Sequence, residues 1–212
     1  MNRLGGAWGH GIVCAAFAML TGLAVACGGP AHAQEKPAPK PDAAAAIVLD
    51  LDDIEKLRSL GPLKLDADQM DKLIAAITAL QADYDKKVTA LGASIFGPTA
   101  PEVHDVKKAA LGGSAIPKTF DDKMRKLQDD FFKQRDDLNT ANIKAVAAAC
   151  KAILTDKQVA IATKLERDQW NKDHPDGKGA TDPQLYNLYC VDMFIASPRA
   201  VPLLKEMRAA AK

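Results

Sequence analysis

Few side chains in this chain could perform metal or redox chemistry once its first 33 residues are set aside. Two histidines remain, His104 and His174, and neither has a second histidine one helical turn away. Because helical metal sites usually draw two ligands from adjacent turns, the pattern predicts no metal site. Cys150 and Cys190, about 40 residues apart, could close a disulfide or pack as two buried thiols. Sequence separation leaves both alternatives open, because a bridge depends on the distance between the two Cα atoms.

Sequence patterns typical of catalytic sites are absent. The chain contains no HExxH run, no CxxC pair and no glycine-rich phosphate loop. Gly112-Gly113-Ser114 resembles part of a nucleophile elbow, but it lacks the preceding strand that such an elbow needs. We therefore expect a protein that is not an enzyme, with no catalytic residue and no cofactor.

Charge and composition exclude further classes of protein. The 28 Lys and Arg residues almost balance the 27 Asp and Glu residues, for a formal net charge of +1. A protein that coats nucleic acid needs many uncompensated basic residues, so nucleic acid is not an expected partner. With 48% hydrophobic and 26% charged residues, the composition is typical of a globular protein rather than a disordered one.

Residues 1–33 are predicted to be an export signal. Their only charged residue, Arg3, precedes an apolar run at 12–26 that is short for a permanent membrane helix. The small-residue triplet at 31–33 fits a signal-peptidase site. A competing interpretation is a lipoprotein signal, in which Cys27 would carry a lipid anchor. We expect a periplasmic or secreted protein, which touches a membrane only if it is lipid-anchored through Cys27.

Beyond the signal, the apolar spacing is helical almost throughout. Helices are predicted at 51–60, 67–91, 119–153 and 156–172, with a short one that Thr99 caps and Gly112 ends, and two more that begin at Asp182-Pro183 and Ser197-Pro198. The fold class is therefore all-α: an elongated helical hairpin, or a bundle of long antiparallel helices, with a helical C-terminal extension. The predicted organisation is a flexible Pro/Ala-rich tether at 34–46, a helical domain at 47–174 with an insertion at 92–118, and the extension at 175–212.

The longest predicted helix carries an apolar seam. Its members recur every three, four or seven residues, which keeps them on one side of a helix. They are Phe120, Met124, Leu127, Phe131 and Leu138. A helix of this length exceeds what a compact core needs, so part of the seam is expected to remain for a partner.

Two predicted helix starts share the same capping-box spacing. In Leu154-Thr155-Asp156-Lys157-Gln158, Thr155 is placed to cap the helix while the Gln158 amide reaches back to the Thr155 backbone N–H, which is a capping box. The same spacing occurs as Leu65-Asp66-Ala67-Asp68-Gln69, with Asp66 as the cap. On physical grounds, these residues are helix-start signals and not an active site.

The two boxes resemble the LTxxQ-motif family of periplasmic proteins, which includes Spy and CpxP. LTDKQ at 154–158 matches the motif in full, and LDADQ at 65–69 has Asp66 in place of Thr. The resemblance implies an envelope-stress protein that binds unfolded client proteins without ATP, often as a homodimer of long antiparallel helices. In that interpretation, the apolar seam would contact the client. The alternatives are a metal-responsive accessory protein of the cell envelope and a structural envelope component without catalytic activity.

Overall fold

The computed structural model describes residues 43–175 and 179–211. The predicted signal at 1–33 and the tether up to residue 42 lie outside the described residues. The α-helices are α1 (Ala43–Leu60), α2 (Ala67–Phe96), α3 (Ala100–Leu111), α4 (Lys118–Ile153), α5 (Asp156–Asp173), α6 (Asp182–Cys190) and α7 (Ala200–Ala210). Short 3-10 turns follow α1 at Gly61–Leu63 and α2 at Gly97–Thr99, and a π-helical turn at Val191–Ile195 follows α6.

The all-α prediction is confirmed, because the described ranges contain helices and no strand. The two longest helices, α2 and α4, pack against each other. They run antiparallel: Gln69 at the start of α2 contacts Ile153 at the end of α4, and the Phe96 ring lies 5.4 Å from that of Phe131. With 36 residues, α4 is about 54 Å long at the standard helical rise. None of the described helices combines the length and apolarity needed to cross a membrane.

Helix boundaries follow local chemistry, with two departures from expectation. Helix α1 begins at Ala43, so residues 43–46 of the predicted tether are helical. Thr99 does not form the predicted capping box: its hydroxyl donates to the Phe96 carbonyl at 2.8 Å, and its side chain caps nothing. The predicted end of α3 at Gly112 is confirmed, and Gly113 follows at φ +89°, a left-handed conformation that favours glycine.

Residues 51–211 belong to one compact unit, and residues 43–50 belong to another. In the larger unit, the core is concentrated at one end of the α2–α4 pair. Buried residues on α2 fall between Gln69 and Ile77, and those on α4 between Val146 and Cys150. Helix α7 packs against α2, and α6 packs against both α4 and α5.

The C-terminal extension is helical, as predicted, and contributes much of this core. Leu185, Tyr189, Phe194 and Leu204 are among its most deeply buried side chains, each at most 1% exposed. Polar contacts also bind the extension to the preceding helices. The Tyr189 hydroxyl donates to the Ser59 carbonyl at 3.0 Å. The extension is therefore packed into the same compact unit as the long helices.

Candidate functional site

Both predicted capping boxes form. Asp66 accepts a hydrogen bond from the Gln69 backbone N–H at 2.7 Å, and the Asp66 N–H donates to the Gln69 side-chain oxygen at 3.2 Å. At the second box, Thr155 accepts from the Gln158 N–H at 3.3 Å and its own N–H donates to the Gln158 side-chain oxygen at 2.8 Å. These bonds satisfy backbone donors that a helix start otherwise leaves unpaired. The flanking Leu65 and Leu154 are partly and fully buried, respectively, against the core.

The two boxes also meet. Gln69 Nε2 donates to Gln158 Oε1 at 2.8 Å, and Gln158 Nε2 donates back to Gln69 Oε1 at 3.0 Å. The second proton of each amide is used as well, by Gln69 on the Ile153 carbonyl at 3.1 Å and by Gln158 on the Leu63 carbonyl at 2.9 Å. Both side chains are only 8% exposed. We call this closed network the glutamine clasp; it joins the start of α2 to the start of α5 and to the end of α4.

Spacing within each box predicted the helix starts, but it did not predict the clasp. Gln69 and Gln158 are far apart in the chain, and nothing in either motif requires a partner across helices. The repetition of glutamine at the third helical position of two boxes is the one signal that could have suggested the pairing. A third box shows that pairing is not automatic. At the start of α6, the Thr181 N–H donates to Gln184 Oε1 at 2.9 Å, and both residues are exposed.

The predicted client-binding seam on α4 packs against α2 at Phe131. All five of its members, Phe120, Met124, Leu127, Phe131 and Leu138, are partly buried. Phe131 packs at 5.4 Å from Phe96, and a Cβ placed on Gly92 would lie 3.8 Å from the Phe131 ring. The seam is therefore neither closed into the core nor left fully open.

An apolar groove begins where the seam reaches the start of α4. Its cavity volume is about 390 Å³. The side chains that line it come from α3, the 112–117 loop and the first turn of α4: Val103, Val106, Lys107, Ala110, Leu111, Ile116 and Phe120. Leu111 is 81% exposed and Ile116 is 52% exposed, which is unusual for aliphatic residues of this size. Phe120 belongs to both features, so groove and seam form one continuous apolar surface.

Helix α1 buries its last residue, Leu60, in the core but leaves its earlier apolar side chains exposed. Leu51, Ile54 and Leu57 are exposed. On the opposite side, the Asp53 carboxylate accepts a hydrogen bond from Arg199 Nε at 3.1 Å. Before Leu60, the inward ion pair and the exposed aliphatic side chains depart from the usual amphipathic arrangement. In the separate unit at 43–50, Ile47, Val48 and Leu49 are also exposed.

Cys150 and Cys190 lie side by side between α4 and α6, fully buried, and the structure records both as free thiols. A hydrogen bond to Cys190, together with burial, raises the pKa of the Cys150 thiol. Such thiols are protonated at neutral pH and are poor nucleophiles. The predicted disulfide between them stays a prediction, but the two residues now occupy facing helices in one core.

One carboxyl group titrates near neutrality. Burial, followed by the neighbouring carboxylates of Asp192 and Asp173, raises the pKa of Glu166 from 4.5 to about 7. Burial also raises the pKa of Asp192, against the opposing charge of Lys56. Within the described ranges, no three His, Cys, Asp or Glu residues lie close enough together to hold a metal ion. His104 is exposed, and His174 stacks on Trp170 with ring centroids 3.9 Å apart.

No protein-family model, curated protein or solved structure matches the chain. It is an all-α protein whose two LxxxQ boxes form a buried clasp, and whose longest helix carries a half-covered apolar seam.

Proposed function

We propose that this chain is a Spy/CpxP-like protein of the periplasm or another extracytoplasmic space. It binds unfolded or stress-damaged proteins as an ATP-independent chaperone. The predicted export signal at 1–33 supports the location, and the boxes at 65–69 and 154–158 support the family. A homodimer, which the same resemblance implies, stays a prediction.

The observation that carries the proposal is the continuous apolar surface made by the groove and the seam. An unfolded client exposes apolar segments, and covering them removes apolar area from water on both partners. Exposed aliphatic side chains such as Leu111 and Ile116 are available for this without any rearrangement of the core. A shallow surface of this kind permits rapid release, because no pocket has to open or close.

Charge around the groove supports reversible binding. Lys107 lies in the groove itself, and nearby the Lys123–Glu102 ion pair bridges α4 and α3. Exposed charges at the edge of an apolar surface change encounter rates more than affinity. We expect client capture to become slower at high salt, with little change in the amount finally bound.

The test is aggregation of a heat-denatured client, measured by light scattering, without nucleotide. The mature chain, residues 34–212 after removal of the predicted signal, is added at near-stoichiometric ratio. The wild-type chain should suppress scattering. The double variant Leu111→Gln/Ile116→Gln should lose most of this effect, because it removes the exposed part of the groove.

The matched control is Leu51→Gln/Ile54→Gln, which removes two exposed aliphatic side chains of comparable size from α1. If both double variants lose suppression equally, general surface hydrophobicity and not the groove is responsible. If the wild-type chain fails to suppress aggregation at any ionic strength, the proposed function is wrong.

A further inference from the structure

A second cavity lies away from the proposed client surface, between α4 and α5 with α6 along one side. Its volume is about 550 Å³. This is within the range of about 300–1,000 Å³ found for small-molecule sites. Small side chains that line it, which we call its floor, include Ala147 and Thr163, both buried, and Ala148 and Ala160, both exposed. The space exists because α4 and α5 make few contacts with each other, whereas α6 packs against both.

The rim of this cleft is basic. Lys144 and Lys151 project from α4 and Lys164 from α5, and none of the three forms an ion pair with any residue that the structure describes. Arg167 is already neutralised by its ion pair with Asp182. The remaining carboxylate, Asp156, lies in the first turn of α5, where the helix dipole stabilises it. The cleft therefore has an excess of positive charge above an apolar floor.

This combination restricts the ligand. An inorganic anion would pair with the lysines but leave the alanine floor wetted, and a neutral apolar molecule would cover the floor but leave the lysines without counter-charge. We propose that the cleft binds a small amphiphilic carboxylate of the fatty-acid class. Its carboxylate lies between Lys144 and Lys164, and its acyl chain lies on the floor formed by Ala148 and Ala160. This site does not depend on the groove at the start of α4 or on client binding.

The test is isothermal titration of the mature chain with three probes: decanoate, decanol and acetate. Decanoate should bind one molecule per chain, and its affinity should fall as salt rises because exposed charges are screened. Decanol and acetate should each bind at least tenfold more weakly. Equal affinity for decanoate and decanol would overturn the proposal, because apolar adsorption alone would then account for binding. Absence of decanoate binding would overturn it as well.

Two pairs of variants locate the site. Lys144→Gln/Lys164→Gln should weaken decanoate binding about tenfold, whereas Lys126→Gln/Lys133→Gln, on exposed positions of α4 outside the cleft, should leave it unchanged. Ala148→Phe should abolish binding by filling the floor.

Its control, Ala141→Phe, places the same ring at an exposed position on the same helix outside the cleft, and should bind normally. Because Ala148 is exposed, its variant should fold, which circular dichroism checks. Normal decanoate binding by folded Ala148→Phe would place the ligand elsewhere and refute the assignment.

Discussion

The glutamine clasp predicts a specific loss of stability when one amide is removed. Gln158→Leu keeps a side chain of similar size but leaves the Leu63 carbonyl and the Gln69 amide without their partners at a site only 8% exposed. A hydrogen bond contributes about 1 kcal/mol net, and a buried polar group left unpaired costs about 1–3 kcal/mol. We expect a loss of about 3–4 kcal/mol in the free energy of unfolding. For a chain of this size, that lowers Tm by about 10 °C.

The chain supplies a matched control for this variant. Gln184 forms the same bonds within its own box, from Thr181 N at 2.9 Å and Thr181 Oγ1 at 2.8 Å, but it is exposed and has no recorded partner in another helix. Gln184→Leu should therefore cost only what a helix cap is worth, about 0.5–1 kcal/mol. The difference between the two variants isolates the contribution of the contact between helices.

A double-mutant cycle measured by urea unfolding completes the test. In Gln69→Leu/Gln158→Leu, no glutamine amide remains without its hydrogen-bond partner. The loss of unfolding free energy in the double variant should therefore be about 1–2 kcal/mol smaller than the sum of the losses in the two single variants. If the single losses add, the two glutamines do not act as a unit. If Gln158→Leu costs no more than Gln184→Leu, burial and reciprocity contribute nothing and the reasoning is wrong.

Three further predictions concern the core. Glu166 has a folded pKa of about 7 against 4.5 for the free group, so the stability that its protonated form gives is full below pH 4.5 and is lost as pH rises through 7. Glu166→Gln should reduce the change in unfolding free energy between pH 5 and 8, measured by urea titration, by about 1–2 kcal/mol, and an unchanged pH dependence would contradict this prediction. Exported protein unfolded in denaturant should show no reactive thiol if Cys150 and Cys190 are bridged, whereas two thiols would show that they pack as free side chains. Phe194→Ala, at a fully buried position, should cost about 3–5 kcal/mol, and exposed Phe132→Ala under about 1 kcal/mol; equal losses would argue against a core in the C-terminal extension.

Capping residues in the sequence predicted the helix boundaries, which depend on local contacts. Gly112, Asp66 and Thr155 mark helix boundaries because the capping chemistry involves residues at most a few positions apart, and the structure places those boundaries where expected. Thr99 has the same kind of spacing but bonds backwards to Phe96, since the preceding 3-10 turn makes that carbonyl available. Helix α3 still begins directly after Thr99, as predicted, but the capping bond forms only at Asp66 and Thr155, whose backbones are extended.

The sequence did not predict which side chains of distant helices contact each other. The apolar spacing on α1 predicts an amphipathic helix, but it gives no information on which side meets the protein. Asp53 faces inward, where it pairs with Arg199, a residue distant in the chain, and Leu51 and Ile54 of the same helix are exposed. The side of a helix that is buried depends on the partner that reaches it, and that partner is set by tertiary structure.

The positions of the clasp and the groove separate stability from the proposed activity. The clasp and the fully buried core lie where α2 begins and α4 ends, whereas Leu111, Ile116 and Phe120 lie near the opposite end of the α2–α4 pair. Residues far apart and without shared partners contribute additively to stability. Leu111→Gln/Ile116→Gln should therefore change client binding and leave the free energy of unfolding within about 0.5 kcal/mol of wild type. The chain can expose apolar surface at one end because the other end supplies the packing that keeps it folded.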